Sequence, residues 1–150
     1  MPEDFQARVA MGDSYGDLRV WEGALELVGA VFETTRGFPK EKRDSLVSQM
    51  RRAAVSIASN IAEAEGRITD RNRSHFYFQA RGSLLELETQ ILIAQGLEFL
   101  TESRAQALLE RSAELGRMLN SLILSIDPAE NAKSSAVQVT SIRPVPPSAR

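Results

Sequence analysis

The sequence predicts an all-α fold, an antiparallel up-down-up-down four-helix bundle with flexible N- and C-terminal tails. Three observations predict it. Between residues 17 and 126 apolar residues recur at three- and four-residue steps, and nothing alternates like a strand for long. Glycine and proline punctuate that stretch at Gly37-Phe38-Pro39, Gly66 and Gly96, leaving four helical segments with short connections. The chain of 150 residues is 43% apolar and 25% charged, which suits one packed domain and leaves no room for a second.

The first segment opens at Asp17, an N-capping residue type, and runs Leu18, Trp21, Leu25, Val28 and Phe32 before Arg36-Gly37-Phe38-Pro39 stops it. That series is expected to face the core. The second opens just after Pro39, with Glu41 and Asp44 at its positive end and Leu46, Met50, Ala54, Ile57 and Ile61 inward. The third begins near Asp70 and places Phe76, Ala80, Leu84, Leu87, Ile91 and Ala94 on one face, with Gly82 expected at a close helix crossing. The fourth opens at Thr101 and carries Leu108, Leu115, Leu119, Leu122 and Ile126 before Pro128. Short connections make antiparallel neighbours the default.

The ends differ from this middle. Residues 1–16 are polar and aperiodic, and residues 127–150 hold four of the six prolines, so both are expected to be flexible tails around a 17–126 bundle. There is no cysteine, which excludes disulfides, thiolate metal sites and thiol catalysis. No cationic-then-apolar leader opens the sequence and no run approaches a membrane span, so a cytoplasmic protein without membrane contact is expected.

Apolar residues remain after one core is built. On the first helix Val20, Ala24, Leu27 and Val31 form a second stripe, and on the third Phe78, Leu85, Leu92 and Phe99 recur at intervals of seven. The second helix has an uncharged run, Ala53 to Ala62, whose outward positions Val55, Ser59 and Ala62 are small. Single exposed apolar residues are ordinary, but contiguous stripes mark an interface. Self-association is expected, through Val20, Leu27, Val31, Val55, Ser59, Phe78, Leu85 and Leu92.

Chemistry is scarce. His75 lacks companion ligands at metal spacing, and Glu86 and Glu88 point to different faces. No nucleophile elbow, phosphate loop or dinucleotide fingerprint occurs, so no enzyme, cofactor, metal or small-molecule substrate is expected. Charge is uneven instead. The chain carries −2 overall, yet residues 36–81 hold ten bases against five acids. Arg51, Arg52, Arg67, Arg71, Arg73 and Arg81 are the candidates for gripping phosphate, since guanidinium groups bind it in a bidentate manner. The alternative is a solvated loop with salt bridges to Glu63, Glu65 and Glu86.

Three stretches together resemble a bacterial family: DLRVWEGALELV, FPKEKRDSLVSQMRRAAVSIASNIAEAEGR and FYFQARGSLLELETQILIA. The chain is similar from about Asp17 to Ser125 to the four-helix-bundle proteins encoded within intervening sequences of 23S ribosomal RNA. The accessory protein of diversity-generating retroelements, Avd, is related to them. The resemblance implies a non-enzymatic bundle assembling as a ring-like homopentamer, with RNA or a reverse transcriptase complex as partner. The acidic total departs from the retroelement relatives, which bind nucleic acid through a positive surface. A protein-interaction scaffold without nucleic-acid binding is the second reading, and salt dependence of binding separates the two.

Overall fold

The computed structural model describes residues 18–40 and 44–126. It contains four helices: α1, Leu18–Arg36; α2, Asp44–Glu65; α3, Asp70–Gly96; and α4, Glu102–Ile126. Each helix packs on two neighbours, α1 on α2 and α4, and α3 on α2 and α4, with no direct packing across the diagonals. The described residues form the antiparallel bundle that the periodicity predicts. The cap proposed at Asp17 and the tails at 1–16 and 127–150 lie outside the described residues.

Helix ends follow local chemistry. Thr69 caps α3, its hydroxyl accepting from the Asn72 amide at 3.4 Å, and Thr101 does the same for Arg104 at 3.3 Å. Beyond α3 the left-handed position falls on Glu98 (φ 62°), with the Phe99 amide bonded back to the Ala94 carbonyl at 3.0 Å. Phe99 then meets the Phe38 ring, centroids 5.9 Å apart, so the loops at this end share one aromatic contact.

The core corrects the phase of α1. Val20, Ala24, Leu27 and Val31 are the buried series, at 0–2% exposure, whereas Trp21, Leu25, Val28 and Phe32 are only half-buried. The physical reason is the charged face. Arg19, Glu22, Glu26 and Glu33 are exposed, and the direction opposite them at ~100° per residue passes through Ala24 and Val31. Val20, Leu27 and Val31 therefore hold the bundle together and are not free to meet another copy. In α3 the largest inward side chain is Tyr77, fully buried, while Phe76 is half-buried.

Small residues set the close approaches, though not where the sequence suggests. A Cβ at Gly82 would meet nothing within 4 Å, and Gly82 is exposed, so it marks no helix crossing. A Cβ at Gly23 would lie 3.2 Å from Met118 Cε, and one at Gly116 3.4 Å from Leu84 Cδ2. Those two glycines let α1 approach α4 and α4 approach α3.

Candidate functional site

The bundle has four sides, each formed where two helices run together. The α2–α3 side is polar: Ser56 Oγ lies 2.9 Å from Ser83 Oγ, and Asn60 donates to the Ser56 carbonyl at 2.9 Å. The α1–α4 side is charged with both signs, its groove of about 260 Å³ lined by Arg19, Glu22, Glu26, Arg111 and Glu114. The α1–α2 and α3–α4 sides are different. Trp21, Leu25, Val28 and Phe32 run along α1 beside Arg51, Val55, Ala58 and Ala62 of α2, all at i, i+4, i+7, i+11 spacing. On the other side Phe78, Leu85 and Leu92 of α3 run beside Leu109, Gly116 and Leu124 of α4. The Arg81–Asn120 hydrogen bond (3.2 Å) and the Gly116–Leu84 approach fix this pairing.

The predicted interface residues thus divide. Val55, Leu85 and Leu92 are 45–47% exposed, Ser59 is exposed and Phe78 is half-buried. Val20, Leu27 and Val31 lie in the core, and Trp21, Leu25, Val28 and Phe32 stand on the surface side in their place.

The six candidate arginines do not form one patch. Arg51 lies between α1 and α2, donating from Nε to the buried Thr35 hydroxyl at 3.0 Å and stacking 4.7 Å over Phe32. Thr35 donates its own hydroxyl to the Val31 carbonyl at 2.7 Å, so Arg51 is held here without a carboxylate. Arg81 stacks 5.1 Å over Phe78 on the α3–α4 side, and Arg52 is exposed on the outer face of α2. Only Arg67, Arg71 and Arg73 are brought together, at the end of the bundle where α2 turns into α3.

That turn is built from several elements at once. Arg67 pairs with Glu63 at 2.8 Å while its guanidinium lies 4.8 Å over Phe76, whose edge meets His75. Arg73 reaches Asp70 at 3.8 Å and lies near the Tyr77 phenol, whose ionisation its positive charge favours. Tyr77 donates to the Glu65 carboxylate, and burial first, then this carboxylate, pushes the phenol from 10.0 up to about 12. Glu65, Arg73 and Tyr77 are a tie across the α2–α3 turn that hydrophobic periodicity alone did not reveal. Arg71 is exposed, with no ion pair among the described residues, and Ile68 stands 99% exposed at the tip. Glu63, Glu65 and Asp70 balance the three arginines, so the excess of bases counted over residues 36–81 is not concentrated in this turn.

His75 is exposed, its Nε2 3.0 Å from Gln79 Nε2, and the described residues contain no cluster of His, Asp or Glu suited to a metal. Glu86 and Glu88 do not combine. Glu88 is half-buried, burial raises its carboxyl above the usual range, and it has no ion-pair partner among the described residues. No helix among those residues is long and apolar enough to cross a membrane.

The model of one protein family, the 23S rRNA-intervening sequence proteins, matches residues 16–121, most of the chain and every helix through most of α4. The chain belongs to that family. A crystal structure of a protein of unknown function from the S23 ribosomal protein family of Bacteroides thetaiotaomicron VPI-5482 is similar in fold. It is 22% identical, with TM-score 0.66, covering 69% of this chain and 97% of that one. No curated protein matches the chain. Within this member of the intervening-sequence family, the surface features that the bundle core does not use are the two apolar sides and the arginine-bearing turn.

Proposed function

We propose that this chain is a non-enzymatic, homo-oligomeric accessory factor that associates with nucleic acid in the cytoplasm. RNA or an RNA–protein complex is the partner, and a ring of five copies is the number its resemblance implies. The observation that carries the reading is the α2–α3 turn. Three arginines occupy one end of the bundle, Arg71 without an ion pair among the described residues and Arg67 stacked on a half-buried ring. Stacked guanidinium groups with exposed edges suit phosphate, and a ring would present one such turn per copy around its axis. Two apolar sides on one small bundle support self-association.

Fluorescence anisotropy with a structured RNA at ~50 mM salt tests the reading, since phosphate contacts are strongest at low salt. Binding at micromolar protein, weakened by Arg67→Glu with Arg71→Glu and Arg73→Glu across sequences and by added salt, is expected. Absence of binding under those conditions refutes it. One observation favours a protein-interaction scaffold as the second reading: the acids of the turn balance its arginines. Salt-insensitive capture of a protein partner is its mark.

A further inference from the structure

We infer that one copy sets its α1–α2 side against the α3–α4 side of the next, joining Arg51 of the first to Glu88 of the second. The inference rests on the self-association proposed above and specifies which surfaces meet. Because each helix packs only on its sequence neighbours and the bundle closes through α1 and α4, the two apolar sides lie opposite one another. The two sides between them are polar or charged. Unlike surfaces on opposite sides cannot satisfy each other across a two-fold axis. They propagate head to tail, and close when the rotation closes.

Charge complementarity identifies the occupant as a second copy. The α1–α2 side carries the half-buried Arg51, held by a hydroxyl and a ring. The α3–α4 side carries the half-buried Glu88, raised by burial alone, and, one heptad earlier, Arg81, held by Asn120 and Phe78. None of the three has an ion pair among the described residues. Two copies of the α1–α2 side would oppose Arg51 to Arg51, whereas unlike sides set Arg51 against the unpaired Glu88. The levels agree as well. Ser56 and Ser83 touch across α2 and α3, which run antiparallel, and Arg51 precedes Ser56 by five residues as Glu88 follows Ser83 by five. At 1.5 Å per residue both charges lie about 7.5 Å along the bundle from that contact, in the same direction. Copies related by rotation about an axis parallel to the bundle keep equal levels together. The same rule sets Leu85 nearest Val55.

Full-length variants test this by light scattering with size-exclusion chromatography and circular dichroism. The wild type is expected to be an oligomer, and Val55→Glu with Ser59→Glu, or Leu85→Glu with Leu92→Glu, to be helical monomers. An equimolar mixture of the two variants should give a two-chain species, because each still offers one intact side. Arg51→Glu or Glu88→Arg alone should raise the dissociation midpoint about tenfold or more, and the double variant should recover to within about threefold. A monomeric wild type overturns the inference together with the self-association reading. An oligomeric wild type whose two variants stay monomeric on mixing, or either of which assembles like wild type, overturns the assignment of sides alone. If a side variant loses its helical signal, the charge exchange decides: a double variant no better than the worse single overturns the pairing.

Discussion

Replacing Tyr77 with phenylalanine removes one oxygen from a fully buried ring and should change the response of the fold to alkali. In the folded chain the phenol ionises at about 12, against 10.0 when it is free. Below pH 10 the phenol is protonated in both states and its contribution is constant. Between pH 10 and 12 the unfolded chain loses the proton while the folded chain keeps it, so the unfolded state gains and stability falls. The whole interval corresponds to about 2–3 kcal/mol. At neutral pH Tyr77→Phe strands the Glu65 carboxylate without this donor and should cost about 1–3 kcal/mol. Urea unfolding followed by circular dichroism at pH 7, 10 and 11.5 measures both effects. The variant should be weaker at pH 7 and should lose less between pH 10 and 11.5 than the wild type. Equal alkaline losses would refute the idea that this phenol is held protonated by its surroundings.

The phase of α1 has its own test, made in the Leu85→Glu, Leu92→Glu background so that no second copy interferes. Leu27→Ala should cost about 2–5 kcal/mol and Leu25→Ala clearly less, by chemical denaturation, and the reverse order would return the core to the other stripe. Glu98→Gly should raise stability by up to about 1 kcal/mol, because glycine adopts positive φ without the steric cost a side chain pays. A lower melting temperature for that variant would show that the Glu98 side chain holds the turn in another way. Glu88→Gln should leave the monomer as stable or more stable at neutral pH, since ionising a half-buried carboxyl is unfavourable, while weakening assembly; a less stable monomer in a urea melt would refute this.

Most of the fold was legible because three signals coincided in the helices: period, caps and breakers. α1 was the exception, and it shows why. Its two stripes are both apolar and both step by three and four, so the period alone cannot choose between Trp21, Leu25 and Phe32 and the series Val20, Ala24, Leu27 and Val31. Charge placement would have resolved the tie, because Glu22, Glu26 and Glu33 point away from Ala24 and Val31. Gly82 misled for a related reason: a glycine in a helix marks a close crossing only if another element arrives there, as at Gly23 and Gly116. Of the candidate surfaces, the shared face of Phe78, Leu85 and Leu92 was readable from their seven-residue spacing, with Leu85 and Leu92 exposed and Phe78 half-buried. The scattering of the arginines was not. A charge count along the chain carries no angle, and Arg51, Arg52 and Arg81 leave the bundle in three directions. Tyr77, Glu65 and Arg73 belong to two helices, and their meeting depends on how those helices register.

The order of neighbours around the bundle also bears on how the chain acquires its shape in time. α2 and α3 are joined by four residues and pack closely, so their hairpin closes a short loop and can form early. α1 and α4 meet only when the two ends of the folded region come together, a contact of high sequence separation that must close last. Ala80 in α3 and Ala105 in α4 are both fully buried. Glycine at Ala80 should chiefly slow refolding, and glycine at Ala105 should chiefly hasten unfolding, in stopped-flow measurements across urea. Equal partition of the two would mean that the bundle condenses all at once. If the hairpin leads, the seam between first and last helices is where the domain opens first, and its charged groove is the part a protease or chaperone meets before any other.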